Sequence, residues 1–458
     1  MLEIYNTLSQ QKEKFTPKEA KKVRMYVCGM TVYDLCHLGH LRMLMAFDVV
    51  LRYFRFRGYE VSYIRNITDI DDKIIKRANE NQEEISALTE RFIKAMHEDL
   101  GALELLPPTQ EPRATEFIPQ MITLVEQLLE KGHAYVATNG DVFYDVRSFP
   151  LYGCLSHHDI DELESGSRIE INDLKKDPLD FVLWKSSKPG EPAWDSPWGP
   201  GRPGWHSECV AMSMNILGDN FDIHGGGRDL IFPHHENEIA QAQALTGKPF
   251  VNLWMHNGYV QVNKEKMSKS LGNFYTIRDL LQKFPTEPIR YFLIASQYRS
   301  PLQYSDIAIP QAAQALERFY IALRGLPEAT APKESEFETR FIAAMDDDFN
   351  TPEALAVLFD LAHEIQRTRS KDEAQAAALG ALLRHLGGVL GILQDEAERF
   401  LKANTTVDAN KIEALITARN AARASKDWAE ADRLRDELAS MSVVLEDGSQ
   451  GTNWRVVR

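Results

Sequence analysis

The first regular stretch of the chain alternates apolar and polar positions: Val23, Met25 and Val27 fall on one side of Lys22–Cys28, as along a strand. After a loop, Leu41, Leu44, Met45, Phe47, Leu51 and Phe54 recur at mostly helical spacings between His40 and Arg57. Gly58 is placed to end that helix. Glu60–Arg65 alternates again. Strand–helix–strand is the parallel crossover unit, so residues 1–106 are expected to begin an α/β, Rossmann-type domain. Cys28 to His40 then lies at the C-terminal end of the first strand, where open parallel sheets carry their sites.

The pattern changes over 107–204. Ala134–Ala137, Asn139-Gly140 and Asp141–Val146 read as a hairpin, with Asn-Gly suited to a type I′ turn. An acidic run from Asp159 to Glu170 follows, then a Pro-, Gly- and Trp-rich run from Pro189 to Trp205. This segment is expected to be an insertion that splits the sheet domain. Sheet signals resume over 205–260, at Asn220–His224 and at Val251, where the apolar pattern runs on to Val262. A loop-rich region spans 261–308. Residues 309–402, rich in Ala, Leu and Glu, are expected to form a helical bundle. A polar linker at Asn404–Asn410 leads into a small C-terminal domain, 403–458.

The chain has 458 residues, enough for several cores. Its 44% hydrophobic and 26% charged residues are those of an ordinary globular protein. MLEIYNTLSQQKEKF lacks the apolar core of a signal peptide, and no apolar run spans a bilayer. Four scattered cysteines (Cys28, Cys36, Cys154, Cys209) argue against a disulfide framework, so a cytoplasmic location is expected. The net charge of -15 opposes a protein that coats nucleic acid non-specifically. A specific RNA partner stays compatible, because basic and acidic residues are equal in number from Lys411 to Arg458.

Two segments suit phosphate chemistry. His37-Leu38-Gly39-His40 sits at a helix start, where backbone amides and the helix dipole attract anions and a glycine permits close approach. Lys266-Met267-Ser268-Lys269-Ser270, followed by Leu271-Gly272-Asn273, suits a mobile basic loop that closes on a polyphosphate. Two thiolates, an imidazole and a carboxylate from Cys28, Cys209, His234 and Glu238, the last two on one helix face at i, i+4, would give a tetrahedral zinc site; with no Cys-x-x-Cys pair, spacing alone favours buried cysteines and an ordinary surface helix. His224 and Gly225–Gly227 follow a strand, where the glycines would let the backbone approach a nucleoside. Asp229 is suited either to a substrate ammonium or to a ribose hydroxyl. Thr68 and Trp205 are expected pocket walls. His256 is either part of the same pocket or a satisfied core histidine.

The histidine and lysine segments together resemble the two signatures of class I aminoacyl-tRNA synthetases. Met25-Tyr26-Val27-Cys28-Gly29, Asn66-Ile67-Thr68-Asp69-Ile70-Asp71-Asp72-Lys73, Gly204-Trp205-His206, His224–Gly227 and Pro233–Ile239 resemble the cysteinyl-tRNA synthetase family, with Leu38 a conservative variant in the first signature. The resemblance implies activation of L-cysteine by ATP with Mg²⁺ and transfer of the cysteinyl group to tRNA(Cys) by a monomer. It places one Zn²⁺ on Cys28, Cys209, His234 and Glu238, where the metal would bind the substrate thiol and exclude serine. His37, His40, Lys266 and Lys269 would be catalytic, with Gly39, Gly226 and Gly227 beside ATP. The 403–458 domain would recognise the anticodon through side chains such as Trp428, Arg433 and Trp454; the alternative is a helical tail packed on the bundle. The nearest rival function is a ligase that passes activated cysteine to an amino sugar.

Overall fold

Four strands form a parallel sheet in the order Val251–Asn257, Phe221–Gly227, Lys22–Thr31, Glu60–Thr68. The computed structural model describes residues 1–159, 173–262, 265–267, 274–402, 408–448 and 451–456. Lys22–Thr31 is an inner strand, and its middle, Met25–Cys28, is buried without a break, as in a parallel strand covered on both faces. The Leu38–Phe56 helix joins it to Glu60–Thr68, and Gly58 (φ 75°) ends the helix as expected. The next strand in sequence to join the sheet, Phe221–Gly227, pairs on the opposite side of Lys22–Thr31. The strand order therefore reverses beside Cys28, and a switch point of this kind opens a crevice at the strand ends.

The insertion between the two halves carries the Ile118–Glu130 helix and a four-stranded antiparallel sheet that ends at Gly201–Pro203. Its hairpin differs from the expected type I′ turn. Val136 pairs with Val142, and only Gly140 of the Asn-Gly pair has positive φ (88°). Asn139 instead accepts from the Asp141 amide through its side chain (3.1 Å), which stabilises a longer loop. The acidic run lies, from 160 onward, outside the described residues. The strand expected through Val262 breaks at Gly258, where an added Cβ would lie 2.4 Å from the Ser300 carbonyl. Val260–Val262 then pairs with Leu302–Tyr304.

The chain divides into two compact units. The first comprises Met1–Thr286, Leu293–Tyr304 and Ile342–Pro352. Ile342–Pro352, expected in the bundle, belongs here because Asp348 accepts from the Tyr5 amide (2.9 Å) and the Tyr298 hydroxyl (2.9 Å). The second unit contains the helices Ala308–Leu323, Thr351–Arg369 (from Glu353) and Glu373–Val389, and the C-terminal helices Ala409–Ala424 and Trp428–Ser440. A hairpin, Val443–Gly448 with Gly451–Val456, closes a small core of Ile412, Ile416, Leu438, Val443, Trp454 and Val456. Among the described residues, no helix is long and apolar enough to cross a membrane.

Candidate active site and metal centre

His37 is the N-cap of the Leu38–Phe56 helix. Its Nδ1 accepts from the amides of Gly39 (3.0 Å) and His40 (3.3 Å), while His40 Nδ1 accepts from the His37 amide (3.4 Å). The two rings stack at 3.6 Å, 20° apart. These first-turn amides are thus bound by the histidines themselves, and the anion-binding potential passes to the imidazoles. Gly39 is required for this fold-back, since a Cβ there would stand 2.9 Å from His37 Cε1.

The segment after the lysine signature lies against this helix start. Leu38 N donates to Tyr275 O (3.0 Å), Ile277 N to Cys36 O (2.9 Å), and the Phe274 ring stands edge-on to His37. Met267 and the histidines line one cavity of about 330 Å³, together with Trp205, Gly227 and Asp229. The two signatures, more than 200 residues apart in sequence, are therefore adjacent in the fold. Lys266 lies on the short strand Glu265–Lys266. Ser268 to Asn273, including Lys269, lie outside the described residues.

Cys28 stands where the pairing of its strand shifts register between Val27 and Met30, Cys209 is on the Trp205–Leu217 helix, and His234 and Glu238 come from the turn and helix after Phe221–Gly227. All four are buried. Their ligand atoms lie within 4.8 Å of one another, with Cys28 Sγ 3.5 Å from Cys209 Sγ, and His234 Nε2 3.1 Å from Glu238 Oε1. Two sulfurs each about 2.3 Å from a tetrahedral zinc stand roughly 3.8 Å apart, so the pair fits such an ion with little movement. Burial raises the Cys28 thiol well above the ordinary range, helped by the adjacent Cys209. Burial also drives His234 far below its usual range and leaves its ring neutral, the form that ligates a metal.

A second set, Cys28, His224, His235 and Glu238, meets the same spacing. It shares two members with the first but holds one sulfur instead of two, and the softer two-thiolate set suits zinc better. His224 and His235 lie against the first set: His224 Nε2 is 2.8 Å from Glu238 Oε2, and His235 Nε2 is 3.3 Å from Cys28 Sγ, contacts of the kind that orient metal ligands. His206 adds a third, its Nδ1 3.0 Å from His234 Nδ1; burial pushes its imidazole down to about 3.

Trp205 joins the two centres. Its ring stacks on His234 at 4.0 Å while it lines the cavity, 37% exposed. Other expected wall residues fall elsewhere. Thr68 is buried and donates to Glu208 (3.0 Å). His224 belongs to the metal cluster. His256 bonds Thr7 and His235 (2.8 Å each), behind that cluster. Added Cβ atoms at Gly225 and Gly226 would strike Phe47 (2.2 Å) and Leu230 (2.9 Å), so these glycines serve internal packing and Gly227 alone of the three opens on the cavity. Tyr33, Lys73 and Arg228 also line it. The sequence singled out none of these three for the site, although Lys73 closes a segment quoted for the resemblance. His206 and His235 likewise sit inside quoted segments, one residue from residues assigned to the site.

In the second unit Trp428 is exposed (60%), but Trp454 is buried and its Nε1 donates to Glu413 (2.6 Å). Of the two tryptophans expected to meet RNA, only Trp428 has a free face; Trp454 holds the small core. Arg433 is paired with Glu430 and Glu437.

Three family models match the chain: the class I (C) tRNA synthetase catalytic domain over residues 14–314, the DALR domain over 340–394, and the cysteinyl-tRNA ligase anticodon binding domain over 409–455. A cysteine–tRNA ligase of Alkalilimnicola ehrlichii is 61% identical over 99% of this chain and 100% of its own length. One of Pseudomonas aeruginosa is 60% identical over the whole of both chains. Among solved structures, the chain is similar to Mycobacterium tuberculosis methionyl-tRNA synthetase in complex with methionyl-adenylate (TM-score 0.58, 15% identity, 83% of this chain and 90% of that one). It is also similar to a putative arginyl-tRNA synthetase of Campylobacter jejuni (TM-score 0.55, 11% identity, 83% and 95%). At these identities the structural likeness shows the fold.

Proposed function

The chain belongs to the cysteine–tRNA ligase family, and from that premise we propose that it tells cysteine from serine with one zinc ion held by Cys28, Cys209, His234 and Glu238. It is a class I cysteine–tRNA ligase, converting ATP to AMP and diphosphate as cysteine is activated. The observation that carries the zinc reading is Trp205, which stacks on His234 and walls the cavity beside the His37–His40 pair. Substrate bound there lies between the phosphate-binding histidines and the metal ligands. Bound in this cluster, zinc supplies a soft Lewis acid that favours a thiolate over a hydroxyl, a distinction that shape alone makes poorly.

The remaining work is positioning and charge stabilisation, with no enzyme nucleophile. The cysteine carboxylate attacks the α-phosphorus of ATP in line, diphosphate leaves, and a terminal ribose hydroxyl of tRNA(Cys) then attacks the mixed anhydride. His37 and His40 donate from their outward nitrogens to the phosphates as negative charge builds. Lys266 and Lys269 neutralise the departing diphosphate, with Mg²⁺ carried by ATP. Gly227 lies beside the nucleotide, and Asp229 receives the substrate ammonium or a ribose hydroxyl. The 403–458 domain reads the anticodon, with Trp428 stacking on an unpaired base. The working form is a cytoplasmic monomer.

Charging of total tRNA with labelled cysteine, run beside labelled serine with protein of known zinc content, tests this reading. Cysteine incorporation without serine, lost when zinc is chelated, is expected. Cysteine-dependent ATP–diphosphate exchange without labelled tRNA would transfer the function to a small-molecule ligase. Exchange that survives zinc removal with its selectivity intact would sink the metal's role.

A further inference from the structure

The turn and helix that carry His234 and Glu238 are polar on the side facing away from the metal as well. Glu236 lies between His234 and Glu238, and at helical spacing it points to the opposite face. It is fully buried. An unpaired carboxylate there would be costly, so what it binds is informative. Its oxygens accept from the amides of Gly153 (3.0 Å), Leu155 (3.1 Å) and Ser156 (2.8 Å), and Cys154 Sγ stands 3.6 Å away. Burial, with the neighbouring carboxylate second, pushes the Cys154 thiol up to about 12, which keeps it a donor. The next residue repeats the connection, since the Tyr152 hydroxyl donates to Asn237 Oδ1 (2.5 Å). All these donors come from one turn of the insertion, Tyr152 to Ser156. Three convergent backbone amides form an anion-binding nest, here filled by a side chain of the metal helix.

We infer that Glu236 is a positioning residue for the metal centre: it clamps the ligand helix to the inserted domain, so that the insertion sets where His234 and Glu238 stand. The clamp acts on the face opposite the ligands and touches neither substrate nor metal. It fixes the rotation of the helix about its own axis, and that rotation decides whether an imidazole and a carboxylate one turn apart meet the two sulfurs from Cys28 and Cys209. Cysteine selection then depends on a domain that contributes no ligand. A glutamine at 236 keeps the size but turns an N–H toward one of the nest's N–H groups, which loosens the clamp without emptying the space.

The inference rests on the zinc reading, and cobalt substitution separates the two. Chelated wild-type enzyme loaded with Co²⁺ is expected to show the intense d–d absorption of a tetrahedral thiolate site; its absence would remove the metal reading itself. Given that band, Glu236→Gln is expected to shift it and to weaken metal binding about tenfold or more, as loss of outer-layer partners does. It should also raise KM for cysteine in diphosphate exchange at least tenfold while KM for ATP stays within twofold. Tyr152→Phe, which alters only the insertion side and is the milder change, is expected to move the same readouts in the same direction by a few fold. If either folded variant lowers the melting temperature but keeps the wild-type cobalt spectrum and the ratio of the two KM values, Glu236 is a packing residue and the inference is overturned.

Discussion

Replacing Gly39 by alanine separates the geometry of the first signature from the stability of its helix. The new methyl would lie 2.9 Å from His37 Cε1 and 3.0 Å from Nδ1. Carbon contacts settle at about 3.5–4.0 Å, so the ring must retreat by roughly 0.6–1 Å. It has nowhere easy to go, with His40 stacked on one face and Phe274 at its edge. The cap to Gly39 and His40 is strained or lost, at a cost of about 1 kcal/mol. Alanine returns about as much through helix propensity. Stability should therefore change by less than about 1 kcal/mol, a melting shift of no more than roughly 2–4 °C for a domain of this size. Activity should not be spared. A displacement of about 1 Å in a group that meets the reacting phosphates costs on the order of 100-fold. Thermal unfolding and cysteine-dependent ATP–diphosphate exchange, measured on the same preparation, check both halves. Exchange within threefold of wild type would refute the idea that His37's position matters. A large fall in melting temperature would refute the balance between cap and propensity.

Four further outcomes are expected. Cys209→Ser should lose its stoichiometric zinc, measured by metal analysis after gel filtration, and should narrow the gap between cysteine and serine in exchange. Trp205→Ala, at a partly exposed position, should raise KM for cysteine about tenfold in exchange with little loss of stability; an unchanged KM would remove Trp205 from the substrate wall. Trp428→Ala should raise KM for tRNA roughly tenfold, in line with the value of a base stack, and leave diphosphate exchange untouched. Glu287, whose carboxyl burial raises from 4.5 to about 7, gives the second unit a pH dependence. Its folded-state value exceeds the unfolded one, so its stabilising contribution is full below about 4.5 and is lost as pH rises toward 7, by roughly 2–3 kcal/mol. Denaturant unfolding of Glu287→Gln across that window should show a flatter profile than wild type.

The parts legible in the sequence are those in which one segment does one job. Lys22–Cys28 and the helix after it declared themselves by period, and the strand end beside Cys28 followed from crossover geometry. The four ligands were chemically plausible but lay up to 210 residues apart, and it was resemblance, not spacing, that joined them. What stayed hidden was pairwise. No period in the chain says that His235 meets Cys28, that Thr68 serves Glu208, or that the middle glycine of His224–Gly227 makes room for Leu230 and His235. Trp454 misled because an aromatic in a charge-balanced tail reads the same whether it faces RNA or packs with Ile412. Ile342–Pro352 misled because its helical pattern carries no sign of the bonds that Asp348 accepts from Tyr5 and Tyr298.

The position of the metal cluster at the sheet's reversal has a consequence for synthesis. Cys28 and Cys209 are 181 residues apart, and Glu238 comes later still. At about 5–20 residues per second, Cys28 is added to the chain roughly 10–40 seconds before its last partner. Throughout that interval the nascent chain presents the Cys28 thiol without the partners that enclose it, on a half-built sheet, open to oxidation and to stray metal. An enzyme that supplies cysteine for translation is thus itself exposed, during its own translation, to the chemistry that makes cysteine hard to handle.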